Sequence, residues 1–178
     1  MNAKSLLLAP LLGVSLNCMA ADLRNAEEGA PDQRERLNAI QGKPAPQLQV
    51  KDWLNGNAVS LGDLKGKIVV LDFWATWCGP CIVSIPHNNQ LADKYRAQGV
   101  VFIGICHPKG MEKMAATVKE KGLKYPTAKD PDGATIKAYQ VNGFPDYHVI
   151  DRKGILRVAD CKNAQVEQVI VALLKEGR

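Results

Sequence analysis

Short apolar runs separated by helical spacing set the order of elements along this chain. Ile68-Val69-Val70-Leu71 reads as a buried strand. After it, Ile82-Val83-Ser84-Ile85, then Leu91, Ala92 and Tyr95, predict a helix with one face inward. Gly99 stops that pattern, and Val100 to Ile105 is near-continuously apolar, as in a parallel strand covered on both faces. Met111, Met114, Ala115 and Val118 repeat at helical spacing up to Gly122. Asp130-Pro131-Asp132-Gly133 is a turn before a short helix ending near Tyr139. Tyr147 to Ile150 and Ile155 to Val158 form two strands around the hairpin turn Asp151-Arg152-Lys153-Gly154. Val166, Val169, Ile170, Leu173 and Leu174 define a last amphipathic helix, with Asn163 as its cap.

Upstream of the first buried strand, Leu48, Val50 and Trp53 share one face of an extended segment. Asn55-Gly56-Asn57 is a turn signal, and Ala58-Val59-Ser60 returns as a second short strand. The order β-α-β-α-β-β-α, preceded by this hairpin, predicts an α/β layered domain over residues 43–178. Gly42-Lys43-Pro44-Ala45-Pro46 marks its boundary, and residues 21–42, polar and charged, read as a flexible tether.

Residues 1–20 stand apart. Lys4 precedes the apolar run Leu6 to Leu16, and small residues around Ala20 and Ala21 resemble a cleavage site. The run is too short to cross about 30 Å of hydrocarbon. It reads as an export signal cut after Ala20 or Ala21, which places the mature chain in the periplasm or otherwise outside the cytoplasm. Cys18 opens a lipoprotein alternative. Ser15 and Asn17 stand where a lipobox favours Leu and a small residue, so Cys18 is read as leaving with the signal.

Composition changes this picture little. With 178 residues and 46% apolar content, one domain with an ample core is expected. The net charge of +5 is unclustered, with no basic run interleaved with aromatics, so nucleic acid is not an expected partner.

The chemistry lies in Phe73-Trp74-Ala75-Thr76-Trp77-Cys78-Gly79-Pro80-Cys81, where a strand hands over to a helix. Cys78 falls at the helix N-terminus, where the dipole and free backbone N–H groups favour thiolate over thiol. Cys81, one turn on, is within disulfide reach and shielded from solvent. Pro80 sits where a missing N–H is tolerated. These residues predict a redox site. Structural zinc would want a second ligand pair, and none is present. A peroxidase would want a lone peroxidatic cysteine in a Thr-x-x-Cys setting. A copper-delivery module is the remaining rival, but His87, His107 and His148 each read as structural or surface residues. No metal or other cofactor is expected.

Trp77-Cys78-Gly79-Pro80-Cys81 resembles the thioredoxin active site, and the surrounding chain resembles the exported TlpA/ResA group. The resemblance covers residues 43–178. It is carried also by Leu61-Gly62-Asp63-Leu64-Lys65-Gly66-Lys67, Pro86, Gly143-Phe144-Pro145 and Asp151-Arg152-Lys153-Gly154. It implies a thioredoxin fold, a three-layer arrangement with a central mixed sheet, carrying the hairpin as an N-terminal extension. It also implies that Pro145 is a cis-proline facing the disulfide, although an ordinary turn proline is the alternative. Trp77, Gly79, Pro80, Phe144 and Pro145 are then the partner-binding candidates, with backbone groups beside Pro145 taking an extended segment by strand addition.

Two departures stand out. Ser84 replaces a glutamate that some relatives carry, and Asp146 stands where Thr commonly follows the cis-proline. Asp72 aligns with the buried aspartate of thioredoxins and is the candidate base for Cys81; the alternative is a carboxylate that only bonds its neighbours or faces solvent. The implied activity is protein-disulfide reduction, with Cys78 as nucleophile and Cys81 as resolving thiol. Gly79-Pro80 matches thioredoxin, near −270 mV, rather than oxidants at about −120 mV. A reductant in an oxidising compartment implies a membrane electron donor. Apocytochrome c or copper-site cysteines are the substrate classes suggested.

Cys106 and Cys161 remain. Both end strands parallel to the central one, but two strands lie between them. At about 4.8 Å per strand they stand about 14 Å apart, beyond the roughly 7 Å a disulfide allows between Cα atoms. Separate thiols are expected, unless the loops leaving the sheet close the gap.

Overall fold

Every residue of the strand Ile68–Trp74 (β2) is buried, and the sheet is assembled around it. The structure, a computed structural model, describes residues 22–176. The expected signal segment, with Cys18, lies outside the described residues. The elements in order are α1 (Pro31–Ile40), β1 (Lys51–Leu54), β2, α2 (Gly79–Arg96), β3 (Val100–Cys106), α3 (Met114–Lys121), β4 (Thr127–Lys129), α4 (Ala134–Ala138), β5 (Asp146–Ile150), β6 (Leu156–Val158) and α5 (Val166–Glu176). The sheet runs β1-β4-β3-β2-β5-β6. β3 and β4 run parallel to β2, while β5 is antiparallel to β2 and β6 to β5. This is the expected thioredoxin-type arrangement of a mixed sheet between helical layers.

Side-chain alternation along β2 splits the core into two layers. Ile68, Val70 and Trp74 pack with α2, α3 and α5, whereas Val69, Leu71 and Phe73 pack with Leu37 of α1 and Tyr139 beyond α4. On β5, by the same alternation, Tyr147 and Val149 face α2, and Asp146, His148 and Ile150 face α1.

Three expectations are corrected. Residues 22–42 are not a tether. Glu27 bridges to Cys161, the Glu28 N–H donates to the Asp160 carbonyl at 2.8 Å, and Leu37 of α1 is fully buried. Arg34 fixes the helix by donating to the carbonyls of Glu28 and Ala159 at 2.7 and 2.9 Å. One fully buried apolar residue, Leu37, with half-buried Ile40 three positions on, is too little in a ten-residue helix to leave a periodic signal.

Nor does the N-terminal hairpin close on itself. β1 pairs antiparallel with β4, and Ala58–Ser60 carry no strand. Asn55 takes a left-handed conformation and donates its side-chain amide to the Leu123 carbonyl, anchoring the turn to the loop before β4. Ser60 instead caps a turn, its N–H and Oγ–H both donating to Asp63. Lastly, Asn163 does not cap α5. It opens a 3-10 turn ahead of that helix, and its amide donates to Ser84 Oγ at 2.9 Å.

At three residues, β4 is too short to leave an alternating pattern in the sequence. Thr127 ties it to the centre, accepting from Trp74 Nε1 at 3.0 Å and donating to the Gly104 carbonyl at 3.1 Å. Gly104 is required there, because a Cβ would lie 2.5 Å from Thr127 Oγ1. Cys106 and Cys161 are unpaired and buried, with β2 and β5 between their strands. Burial pushes both thiols up to about 12, which keeps them protonated and unreactive.

The packing of α1 can be checked directly. Leu37→Ala is expected to lower the unfolding free energy by about 2–5 kcal/mol in denaturant titration, the usual range for emptying a buried leucine site. A tether would show no change.

Candidate active site

The turn Ala75–Trp77 carries the chain from β2 into α2 and leaves Cys78 as the N-cap residue. The Cys78 N–H donates to the Ala75 carbonyl at 3.1 Å, and Cys78 Sγ accepts from the Cys81 N–H at 3.2 Å. The Cys78 sulfur therefore sits on the unsatisfied N–H groups of a first helical turn, at the positive end of the dipole. Pro80 occupies that first turn without losing a bond. Cys78 and Cys81 are joined in a disulfide, with Cα atoms 5.3 Å apart. Both are buried, at 4% and 3% exposure, so in the oxidised protein Cys78 is as covered as Cys81. The exposed surface over them belongs to Trp77, Gly79 and Pro80.

Across from this turn the Phe144–Pro145 peptide is cis, as the resemblance implies. Register delivers it: Asp146 on β5 pairs with Phe73 on β2, which holds the loop beside the end of the central strand. The Phe144 ring meets Trp77 edge-on at 5.9 Å and His107 at 5.1 Å, and Trp77 meets His107 at 5.6 Å. Trp77, 54% exposed, is steadied by donating Nε1–H to the Lys109 carbonyl at 2.9 Å. Thr76 donates to the Gly110 carbonyl at 2.9 Å. Gly110 has a positive φ of 87°, and a Cβ there would overlap Thr76 Oγ1.

Asp72 lies inside, on the α2 face of β2. Tyr125 Oη–H donates to its Oδ2, and Asn88 Nδ2 donates to the same oxygen at 3.3 Å. Oδ1 is buried with no hydrogen-bond partner among the described residues. Burial pushes the carboxyl up to about 6, against the opposing pull of the Tyr125 and Asn88 bonds, and the nearby Asp146 charge adds to the rise. Asn88 bonds Tyr147 Oη as well, at 3.0 Å, so α2, β5 and the loop before β4 meet on this acid. No hydrogen bond joins Asp72 to either sulfur.

The structure thus gathers Cys78, Cys81, Trp77, Gly79, Pro80, Phe144 and Pro145 at one end of the sheet, with Asp72 beneath. His107, Tyr125, Asn88 and Tyr147 were missed as site residues. His107 was findable, since it follows the end of a parallel strand beside the central one; the partners of Asp72 come from three separate elements and leave no local signal. His87 is exposed on α2 and His148 is buried in β5. Among the described residues no group of three or more potential metal ligands forms.

The raised Asp72 carboxyl gives a signed prediction. It holds its proton more tightly folded than unfolded, so stability falls as pH rises from about 4 to about 6. Near 1.4 kcal/mol per unit, the Asp72 share is about 3 kcal/mol. Asp160 is raised in the same direction, so the wild-type profile alone does not isolate Asp72. Asp72→Asn is expected to remove that share and to be the more stable protein at pH 7–8 by chemical denaturation. Superimposable profiles would mean that Asp72 does not ionise in this range.

The AhpC/TSA family matches residues 41–159. Thiol-disulfide oxidoreductase ResA of Bacillus thuringiensis subsp. konkukian is 37% identical over 135 residues, covering 76% of this chain and 77% of the relative. ResA of Bacillus subtilis is 32% identical over 114 residues, covering 64% and 63%. A crystal structure of a thiol:disulfide interchange protein of the thioredoxin family from Chlorobium tepidum superposes with a TM-score of 0.63 at 26% identity, over 75% of this chain and 97% of that one. Matched over more than half its length and carrying the Cys78–Cys81 pair in the geometry described, this chain belongs to the AhpC/TSA family as a thioredoxin-like, ResA-like thiol-disulfide oxidoreductase.

Proposed function

We propose that this chain is an exported protein-disulfide reductase in which Cys78 attacks and Cys81 resolves. The observation that carries the reading is the seat of Cys78 Sγ on the Cys81 N–H at 3.2 Å, at the start of an 18-residue helix. A thiolate there gains from a backbone donor and from the dipole, whereas a thiol gains little. In the reduced protein the Cys78 thiolate attacks one sulfur of a partner disulfide. That S–S bond breaks, the partner's other sulfur leaves as thiolate and takes a proton from water, and a mixed disulfide remains. Cys81 then loses its proton and attacks Cys78 Sγ, expelling the partner's second thiolate. Two electrons pass to the partner, and the Cys78–Cys81 disulfide is left behind.

Asp72 is the proposed acceptor for the Cys81 proton. Its unpartnered Oδ1 and a pKa near 6 suit an acid that must take a proton and release it near neutrality. The loop around Pro145 is the proposed platform for an extended partner segment, with Trp77 and Phe144 supplying apolar contact. The leader-like pattern of residues 1–20 supports export. In an oxidising compartment the spent disulfide must be recharged, which calls for a dithiol donor at the membrane.

Insulin-type disulfide reduction tests the assignment of the thiols. Cys78→Ser is expected to abolish activity, and Cys81→Ser to accumulate mixed disulfides that resolve under reducing electrophoresis. Full activity in the Cys78→Ser protein would contradict the reading.

A further inference from the structure

On the opposite side of the cis-proline loop from the disulfide, an open cleft of about 400 Å³ lies between α1 and the sheet. Its walls carry three carboxylates, Glu28, Asp146 and Asp160, with Gln33 of α1 between them, and no lysine or arginine lines it. Asp146 is only 3% exposed, and its Oδ1 accepts no hydrogen bond among the described residues. His148 Nε2 lies 3.1 Å from that oxygen but out of line for a hydrogen bond. Asp160, 8% exposed, accepts one long bond from Gln33 Nε2 at 3.3 Å, while the same nitrogen donates to Asn142 at 2.6 Å. The nearest guanidinium, Arg34, is held by the Glu28 and Ala159 carbonyls and pairs with Glu27 at 3.7 Å.

Negative charge therefore outweighs positive charge here, with His148 beside Asp146 and Arg34 as the opposing groups. Burial first, and then the like charges of Asp146 and Glu28, push Asp160 up to about 6 against the opposing pull of His148 and Arg34. A buried carboxylate without a partner is costly in a folded chain, and an entering cation would relieve that cost. The cleft shares Gly143, Phe144, Pro145 and Asp146 with the loop that offers its backbone to a partner. No three of its acids group as ligands for a metal ion among the described residues, whereas an open cleft with carboxylates at several depths suits a long organic cation.

We propose that this cleft is a specificity subsite for a lysine or arginine side chain flanking the reacting cysteine of the partner protein. The proposal rests on the thiol–disulfide exchange reading above. It assigns Asp146 and Asp160 to binding the cation and Glu28 to the mouth that attracts it. Substrates with a basic residue within one or two positions of the cysteine are then the preferred class.

The test uses blocked peptides with one internal disulfide, identical except for Lys, Gln or Glu beside the attacked cysteine. Rates of reduction by the reduced protein are divided by the rates with dithiothreitol, which removes intrinsic differences in reactivity. The Lys peptide is expected to exceed the Gln peptide by about tenfold, and Gln to exceed Glu. That spread should shrink as salt rises from about 0.05 to about 0.5 M. Asp160→Asn should cut the Lys-over-Gln ratio to about twofold; should that variant not fold, the wild-type ratios still decide. Equal normalised rates for the three peptides would overturn the subsite while leaving exchange intact. Reduction of none of them would overturn the exchange reading itself.

Discussion

One hydrogen bond organises the chemistry of this molecule: the Cys81 N–H donating to Cys78 Sγ across the first turn of α2. It requires that β2 end at Trp74, that three residues turn the chain, and that the helix begin at Gly79. Each condition is met by packing elsewhere. β2 is held on both edges, by β3 through a parallel ladder and by β5 through an antiparallel one. The turn is clamped from outside, by Lys109 on Trp77 and Gly110 on Thr76. A sulfur placed this way is biased toward thiolate without a cationic side chain beside it.

The second theme is buried acid on both faces of the sheet. Asp72 faces α2 and is held by Tyr125 and Asn88, while Asp146 and Asp160 flank the cleft toward α1. Among the described residues none of the three forms an ion pair with lysine or arginine, although His148 Nε2 lies 3.1 Å from Asp146, and carboxylates buried in this way cost stability. On the α2 face the proposed use is proton exchange beneath the disulfide. On the α1 face it is the proposed recognition of a basic partner residue. The cis-proline loop separates the two, so one strand, β5, presents Tyr147 to the first site and Asp146 to the second.

The parts legible in sequence were those written in local patterns. β2, α2, β3 and α5 announce themselves through apolar runs or spacing, and the Cys78–Cys81 pair with its following helix is a local motif. The cis state of Phe144–Pro145 came only through resemblance to a family. What sequence did not reveal depended on distant partners. α1 buries only Leu37 fully, with Ile40 half-buried beside it, and is held as well by Arg34 reaching the carbonyls of Glu28 and Ala159. β4 is a strand because Thr127 bonds Trp74 and Gly104. The hairpin misled because Asn55-Gly56-Asn57 is a sound turn whose return arm has no strand to join: Asn55 bonds Leu123 instead. Asp72 was identifiable as a candidate, but Asn88, Tyr125 and Tyr147 were not, since three elements supply them.

The central claim is that the Cys78–Cys81 pair gives electrons away. Its reduction potential, measured by equilibration with glutathione or a reference thioredoxin, tests that claim most directly. A value near that of thioredoxin, about −270 mV, is expected for a reductant; a value near about −120 mV would make the protein an oxidant and contradict the assigned direction of electron flow.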